Sequence, residues 1–73
     1  MDEKRVRFIK TATRRTNVVL NKIRVLGNCA NRSAYEYTDA DADRIFNEIE
    51  KELKVNKMKF RLGRVGKKKE FKL

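Results

Sequence analysis

The stretch Gly27-Asn28-Cys29-Ala30-Asn31-Arg32-Ser33-Ala34-Tyr35-Glu36-Tyr37-Thr38 has no helical period and lies between two long amphipathic segments. Its first residue predicts a helix end, because glycine readily adopts the left-handed conformation that commonly closes a helix. Its last residue predicts a helix start, because the Thr38 hydroxyl can accept a hydrogen bond from the Asp41 backbone N–H. Thr38 and Asp41 resemble a capping box with aspartate in place of glutamate. The chain therefore predicts one helix, a connection over residues 27–38, and a second helix.

Each flanking segment carries a row of residues, mostly apolar, spaced alternately three and four apart, which places the row on one face of a helix. The first seam consists of Ile9, Ala12, Thr16, Val19, Ile23 and Leu26. The second seam consists of Ala42, Phe46, Ile49, Leu53, Asn56 and Phe60. These rows predict helices over about residues 4–26 and 39–61, with Asp2 and Glu3 at the positive end of the first helix dipole.

The two seams predict an all-α fold in which residues 1–62 form an antiparallel two-helix hairpin. Asn56 would be a polar residue within the paired seams, with Thr13 or Thr16 as its hydrogen-bond partner. Val18, Leu20 and Val25 flank the first seam on both sides and are expected to widen the apolar surface of the first helix beyond what one partner helix covers. We therefore expect a homodimer that forms a four-helix bundle.

The composition excludes several classes of protein. The chain has no histidine, no proline and one cysteine, so it has no internal disulfide, and we expect no metal site and no cofactor. No apolar run exceeds three residues, which predicts no membrane span and a cytoplasmic location. No catalytic constellation is visible, because Cys29 has no histidine to activate it. We expect no enzymatic activity.

The charge is strongly positive and unevenly distributed. The chain carries 20 basic and 10 acidic residues, a net charge of +10. Residues 1–26 and 58–73 each carry +6, whereas residues 36–57 carry −3. Two basic ends favour a polyanionic partner, although charge alone also keeps a small protein dispersed. Residues 63–73, with two glycines, predict a flexible basic tail.

A polar stripe follows the same alternating spacing on the face opposite the first seam. The stripe consists of Arg7, Lys10, Arg14, Asn17, Asn21 and Arg24. Arginine and lysine contact phosphates, and asparagine bonds phosphates or base edges. A solvated helix face is the alternative, but it does not explain why the stripe contains no glutamate. The predicted nucleic-acid-binding residues are this stripe together with Arg32, Arg61, Arg64, Lys67, Lys68 and Lys69.

The connection admits two interpretations. As a recognition surface, its tyrosine rings would stack on bases and Arg32 would bind phosphate. As a structural joint, its asparagines and Ser33 would satisfy the carbonyls left free at the end of the first helix, and Tyr35 and Tyr37 would close the open end of the hairpin. We favour the structural interpretation.

A resemblance rests mainly on the connection. Three parts carry it: Arg15-Thr16-Asn17; then Leu20-x-x-Ile23-Arg24-x-x-Gly27-Asn28-x-x-Asn31-Arg32-Ser33-x-Tyr35-Glu36-Tyr37-Thr38; then Ile45-Phe46 with Glu50-x-Glu52-Leu53. They resemble a family of short uncharacterised proteins from bacterial and phage genomes. The resemblance covers about residues 14–60 and implies a bacterial or mobile-element origin and two helices, without a mechanism.

These observations predict a protein that binds DNA or RNA mainly through backbone phosphates, without strong sequence specificity. The alternative is a phage or mobile-element interaction module or inhibitor. Such a module would dock on a larger protein or a ribonucleoprotein, including the ribosome.

Overall fold

A computed structural model describes residues 2–65, and their side chains through residue 63. Helix α1 spans Glu3–Gly27, a 3₁₀ turn spans Asn28–Ala30, and helix α2 spans Asp39–Val65. Residues 2–65 contain no strand, so the predicted all-α class is confirmed for this part of the chain. The chain divides into two units, the first ending at Glu36 and the second beginning at Tyr37.

Helix α1 begins at an aspartate cap, whereas the sequence predicted only a favourable charge of Asp2 at the helix dipole. Asp2 is the N-cap in an extended conformation, and its side chain accepts a hydrogen bond from the Lys4 backbone N–H at 3.3 Å. The backbone N–H groups of Arg5 and Val6 both donate to the Asp2 carbonyl at 3.1 Å. Two of the N–H groups that a helix start leaves without partners, those of Lys4 and Arg5, are thereby satisfied, and the Val6 bond is the first regular bond of the helix.

Gly27 ends α1 without the left-handed conformation that we expected. Its φ of −59° and ψ of −24° are right-handed values, and Asn28 continues with φ −67° and ψ −17°. The Asn28 backbone N–H donates to the carbonyls of Val25 and Leu26, and the chain tightens into the 3₁₀ turn. Because such a turn satisfies end carbonyls by itself, no glycine-specific conformation is needed. The predicted mechanism of termination is therefore wrong.

Helix α2 begins with the capping box suggested by the sequence. The Asp41 backbone N–H donates to Thr38 Oγ1 at 3.0 Å, and the Thr38 backbone N–H donates to Asp41 Oδ2 at 2.9 Å. The Thr38 carbonyl also accepts from the N–H groups of Asp41 and Ala42. Aspartate thus performs the part that glutamate usually plays in this motif.

Helix α2 continues to Val65, four residues beyond its predicted end. Residues 63–65 of the predicted flexible tail are therefore helical. Gly63 lies within the helix without a positive φ. A glycine inside a helix costs only about 1 kcal/mol relative to alanine, and Arg61, Leu62 and Arg64 around it are good helix formers. The rest of the predicted tail, residues 66–73, lies outside the described part of the chain.

Asn56 is partly exposed and bonds within its own helix. Its Nδ2 donates to the Glu52 carbonyl at 2.8 Å and to Glu52 Oε2 at 3.1 Å. Thr13 and Thr16 belong to the other unit, so the expected bond to one of them stays a prediction, but the Asn56 amide already has acceptors one helical turn earlier in its own helix. The reason is that a side-chain amide at position i reaches the i−4 carbonyl without any tertiary contact.

The seams remain open to solvent. Among the residues with described side chains, none is fully buried. Ile9 and Val19 in α1 are 44% and 51% exposed, and Leu53 and Phe60 in α2 are 52% and 67% exposed. Helices of this length are sustained by propensity and capping, but their tertiary stability normally comes from covering an apolar face. The exposed seams therefore indicate that each helix requires a packing partner.

Candidate nucleic-acid interface

The polar stripe lies on one continuous surface of α1. All six of its residues belong to the helix and are exposed. At about 100° of rotation per residue, they fall within an arc of about 100°, and Arg7 and Arg24 are about 25 Å apart along the axis. Two neutral residues, Asn17 and Asn21, separate three cations near the N-terminus from Arg24. The surface is long, narrow and cationic at both ends.

The four cations of the stripe are not neutralised by the residues that the structure describes. No salt bridge within residues 2–63 involves Arg7, Lys10, Arg14 or Arg24. Glu3 is the only acid within α1, and it precedes Arg7 by one turn. For comparison, Lys51 and Glu48 of α2 form an exposed salt bridge at 3.4 Å. The charge of the stripe is thus directed at solvent and available to an anion.

A second row of cations lies on α1 between the stripe and the first seam, and sequence reasoning missed it. Lys4, Arg15 and Lys22 are exposed on α1 and are separated by 11 and 7 residues, which aligns them along the helix. The row and the stripe together cover about half of the helix circumference. A helical-wheel plot would have found this row, but a search for spacings of three and four does not. Of the eight cations of α1, only Arg5 lies on the seam side, over the ring of Phe8 at 5.9 Å.

Val18 and Val25 do not widen the first seam as expected. Val18 is 52% exposed and lies one turn from Arg14 and from Asn21. Val25 is 53% exposed and follows Asn21 by four residues. Both valines therefore lie between the two rows of polar and basic residues, because seven-residue spacing keeps them on one line of the helix. Leu20 does adjoin the seam.

The connection satisfies its own backbone in a way that differs from our expectation. The Ser33 backbone N–H donates to Asn31 Oδ1 at 3.0 Å. The N–H groups of Ala34 and Tyr35 donate to the Asn31 carbonyl at 3.1 and 3.0 Å. Asn31 thus organises the turn that follows it, as asparagine commonly does. The expectation that the asparagine side chains and Ser33 would satisfy the carbonyls of α1 is not met for Asn31 and Ser33.

The remaining predicted binding residues are distributed over several segments. Arg32 is exposed in the turn of residues 32–34, and Arg61 is exposed within α2 rather than at its end. Arg64 belongs to the last turn of α2. Lys67, Lys68 and Lys69 lie outside the described residues. Arg32 belongs to the same unit as the α1 stripe, whereas Arg61 and Arg64 belong to the second unit.

The ionisable groups offer little for chemistry. Cys29 is exposed in the 3₁₀ turn. Hydrogen bonds from the backbone and side chain of Thr38, with a smaller contribution from nearby Arg44, hold the pKa of Asp41 below its usual value of 3.8. Residues 2–65 contain no group of three or more cysteines or carboxylates placed to bind a metal.

Comparisons of the chain with protein-family models, curated proteins and solved structures find no match. Neither helix, over its described length, contains a stretch long and apolar enough to cross a membrane.

Proposed function

We propose that the chain binds nucleic acid through backbone phosphates, using the basic half of α1. The observation that carries this proposal is the stripe itself: four exposed cations without salt-bridge partners among residues 2–63 lie on one helical face with two asparagines. An α-helix with side chains is about 10–12 Å wide, which matches the width of the DNA major groove. Duplex RNA and single strands also present the phosphates that this surface would contact.

Counterion release makes the proposal quantitative. Each phosphate that a lysine or arginine neutralises releases condensed counterions, so affinity falls as salt rises. Four stripe contacts predict a slope of about −3 to −4 for the logarithm of affinity against the logarithm of salt concentration on duplex DNA. The asparagines add hydrogen bonds but no salt dependence. Binding through phosphates also predicts similar affinity for unrelated sequences.

The experiment compares two triple variants with the same loss of charge. Arg7→Gln/Lys10→Gln/Arg14→Gln removes stripe cations, whereas Arg44→Gln/Lys51→Gln/Lys54→Gln removes three cations from α2 outside its seam. Gel shifts or fluorescence anisotropy on random DNA and RNA, at rising salt, give the affinities.

We expect the stripe variant to lose on the order of a hundredfold in affinity at about 0.1 M salt and to lose about three units of slope. The α2 variant should lose much less. Equal losses in the two variants, or no binding by the natural chain at about 50 mM salt, would refute the proposal.

The packing of the two helices and the assembly of two copies are also proposals. We propose that the first and second seams pack against each other in an antiparallel hairpin, and that two copies form a four-helix bundle. The support is the matched spacing of the seams and the exposure of their apolar side chains. Because the polar stripe lies opposite the first seam on α1, this packing leaves the stripe accessible to nucleic acid.

A further inference from the structure

Helix α2 carries its acidic and basic residues in separate halves. Residues 39–52 hold six acidic and two basic residues, a net charge of −4. Residues 53–63 hold four basic residues and no acid, a net charge of +4. All of these charged side chains are exposed. The arrangement suits the dipole of the helix, and it also makes α2 complementary to a second α2 that runs in the opposite direction.

The second seam has the same spacing when it is counted from either end. Its intervals of 4, 3, 4, 3 and 4 residues are symmetric about Lys51, which lies on the face of α2 opposite the seam. An antiparallel copy aligned on this centre sets Ala42 opposite Phe60, Phe46 opposite Asn56, and Ile49 opposite Leu53. Two of these three levels place a large side chain against a smaller one, as interdigitated packing requires.

We propose that, within the four-helix bundle proposed above, the second seam also docks on the same seam of a second copy of this chain, with the two α2 helices antiparallel, because the apolar face of each bundle helix contacts two neighbours across the common core. Side chains in a helix lean toward its N-terminus, so Glu50 of one copy and Lys57 of the other lean toward each other beside the seam. Two-fold symmetry produces this ion pair twice. A parallel pair would instead set acidic half against acidic half and basic half against basic half.

The same alignment places Glu50 of each copy one residue from the two-fold centre, where the two side chains lean apart, and it also brings the Glu52 carboxylates of both copies near the axis, which costs some repulsion. Each of these carboxylates accepts a hydrogen bond from Asn56 of its own helix at 3.1 Å, which holds it to the side of the seam. The apolar surface compensates, since Phe46 and Leu53 are 45% and 52% exposed without a partner. The pairing rests on the proposed two-copy bundle but requires no nucleic acid, so its failure and the failure of the proposed nucleic-acid binding are distinguishable.

Charge reversals across the proposed interface test the orientation as well as the contact. Glu50→Lys sets lysine against Lys57 in a pair of identical chains, and Lys57→Glu sets glutamate against Glu50. An equimolar mixture of the two single variants restores opposite charges at both positions. Glu48→Lys is the matched control, because it makes the same change in charge on the side of α2 away from the seam. Sedimentation equilibrium without nucleic acid gives each dimer constant, and circular dichroism checks that each variant is helical.

We expect the natural chain to dimerise, and each interface variant to weaken the dimer by about tenfold, since two weak exposed pairs become repulsive. The mixture should recover most of the lost affinity, and Glu48→Lys should change it little. A natural chain that sediments as a monomer throughout would overturn the proposal. So would a mixture no tighter than its components, or a control as damaging as Glu50→Lys.

Discussion

Thr38 and Asp41 cap the start of α2 reciprocally, each donating a backbone N–H to the side-chain oxygen of the other at 2.9–3.0 Å. Two N–H groups that a helix start leaves without partners are satisfied by side chains three residues apart. The interaction lies within one turn, so it forms without tertiary packing. It is therefore a local determinant of where α2 begins.

Replacing Thr38 by alanine should shorten α2 at its N-terminus. Loss of an N-cap hydroxyl typically costs about 1 kcal/mol of helix stability. Circular dichroism should report lower helicity and an earlier thermal transition. Thr13→Ala is the control, because it makes the same chemical change inside α1, where alanine is the better helix former. Equal or higher helicity in Thr38→Ala would show that the cap contributes nothing.

The same cap predicts a pH dependence. The pKa of Asp41 is lower in the helix than its usual value of 3.8, mainly because the backbone and side chain of Thr38 donate to its carboxylate. A lowered pKa means that the stabilisation is complete above 3.8 and is lost as the pH falls through the lower value of the helical state. The expected result is a loss of helicity on acidification below about pH 4.

Asp41→Asn should reduce that loss, because its side chain can still accept a hydrogen bond but does not titrate. Asp43→Asn removes a carboxylate from the same helical turn without touching the cap, so its acid transition should resemble that of the natural chain. If the two variants titrate alike, the assignment to Asp41 is incorrect.

Gly27 should tolerate alanine, in contrast to a glycine that closes a helix in the left-handed conformation. Its φ is negative, and an added Cβ would meet nothing within 4 Å. We expect Gly27→Ala to raise stability by about 0.5–1 kcal/mol through a less flexible unfolded chain. Gly63→Ala, inside α2 and equally uncrowded, should act in the same direction. If Gly27→Ala lowers helicity and Gly63→Ala does not, Gly27 would have to adopt the left-handed conformation in solution.

The features that were predicted correctly from sequence depend on neighbours in the chain. Asp2 and the pair Thr38–Asp41 make contacts within four residues, so their roles can be predicted from their positions in the chain. Gly27 was misjudged because glycine permits several conformations and the sequence does not say which one is used. For Asn56, a local acceptor on Glu52 competes with any distant threonine, and the bond to Thr13 or Thr16 stays a prediction.

The α1 surface was predicted in part. The stripe follows from the repeat, because one spacing rule generates all six positions. The second row of cations has other spacings, because Lys4, Arg15 and Lys22 are 11 and 7 residues apart. Their alignment along the helix is visible only in a helical-wheel plot of all of α1. Val18 was assigned to the wrong side for the same reason. Which surfaces a partner covers depends on contacts between residues far apart in the chain, which local patterns do not specify.

The two asparagines of the stripe should contribute modestly to the affinity for nucleic acid, and equally for all nucleotide sequences. Asn17→Ala/Asn21→Ala removes neutral hydrogen bonds, so affinity should fall by about tenfold or less while the salt slope stays unchanged. Anisotropy titrations on several unrelated duplexes provide the measurement. A variant that loses affinity for some sequences and not for others would instead show that these residues read base edges.

The second row of cations should act in the same way as the stripe. Lys4→Gln/Arg15→Gln/Lys22→Gln removes three charges from the basic half of α1 and leaves the stripe intact. If nucleic acid contacts the whole basic half, this variant should lose salt slope by up to about three units, as the stripe variant does. If the ligand contacts the stripe alone, the slope should stay near that of the natural chain and only a small long-range loss should remain, because charges beyond about 10 Å are screened at 0.1 M salt. The salt slope therefore measures how far around α1 the bound phosphates extend. A variant that combines this triple substitution with the triple substitution of the stripe should bind weakly. Tight binding by the combined variant would exclude α1 as the binding surface.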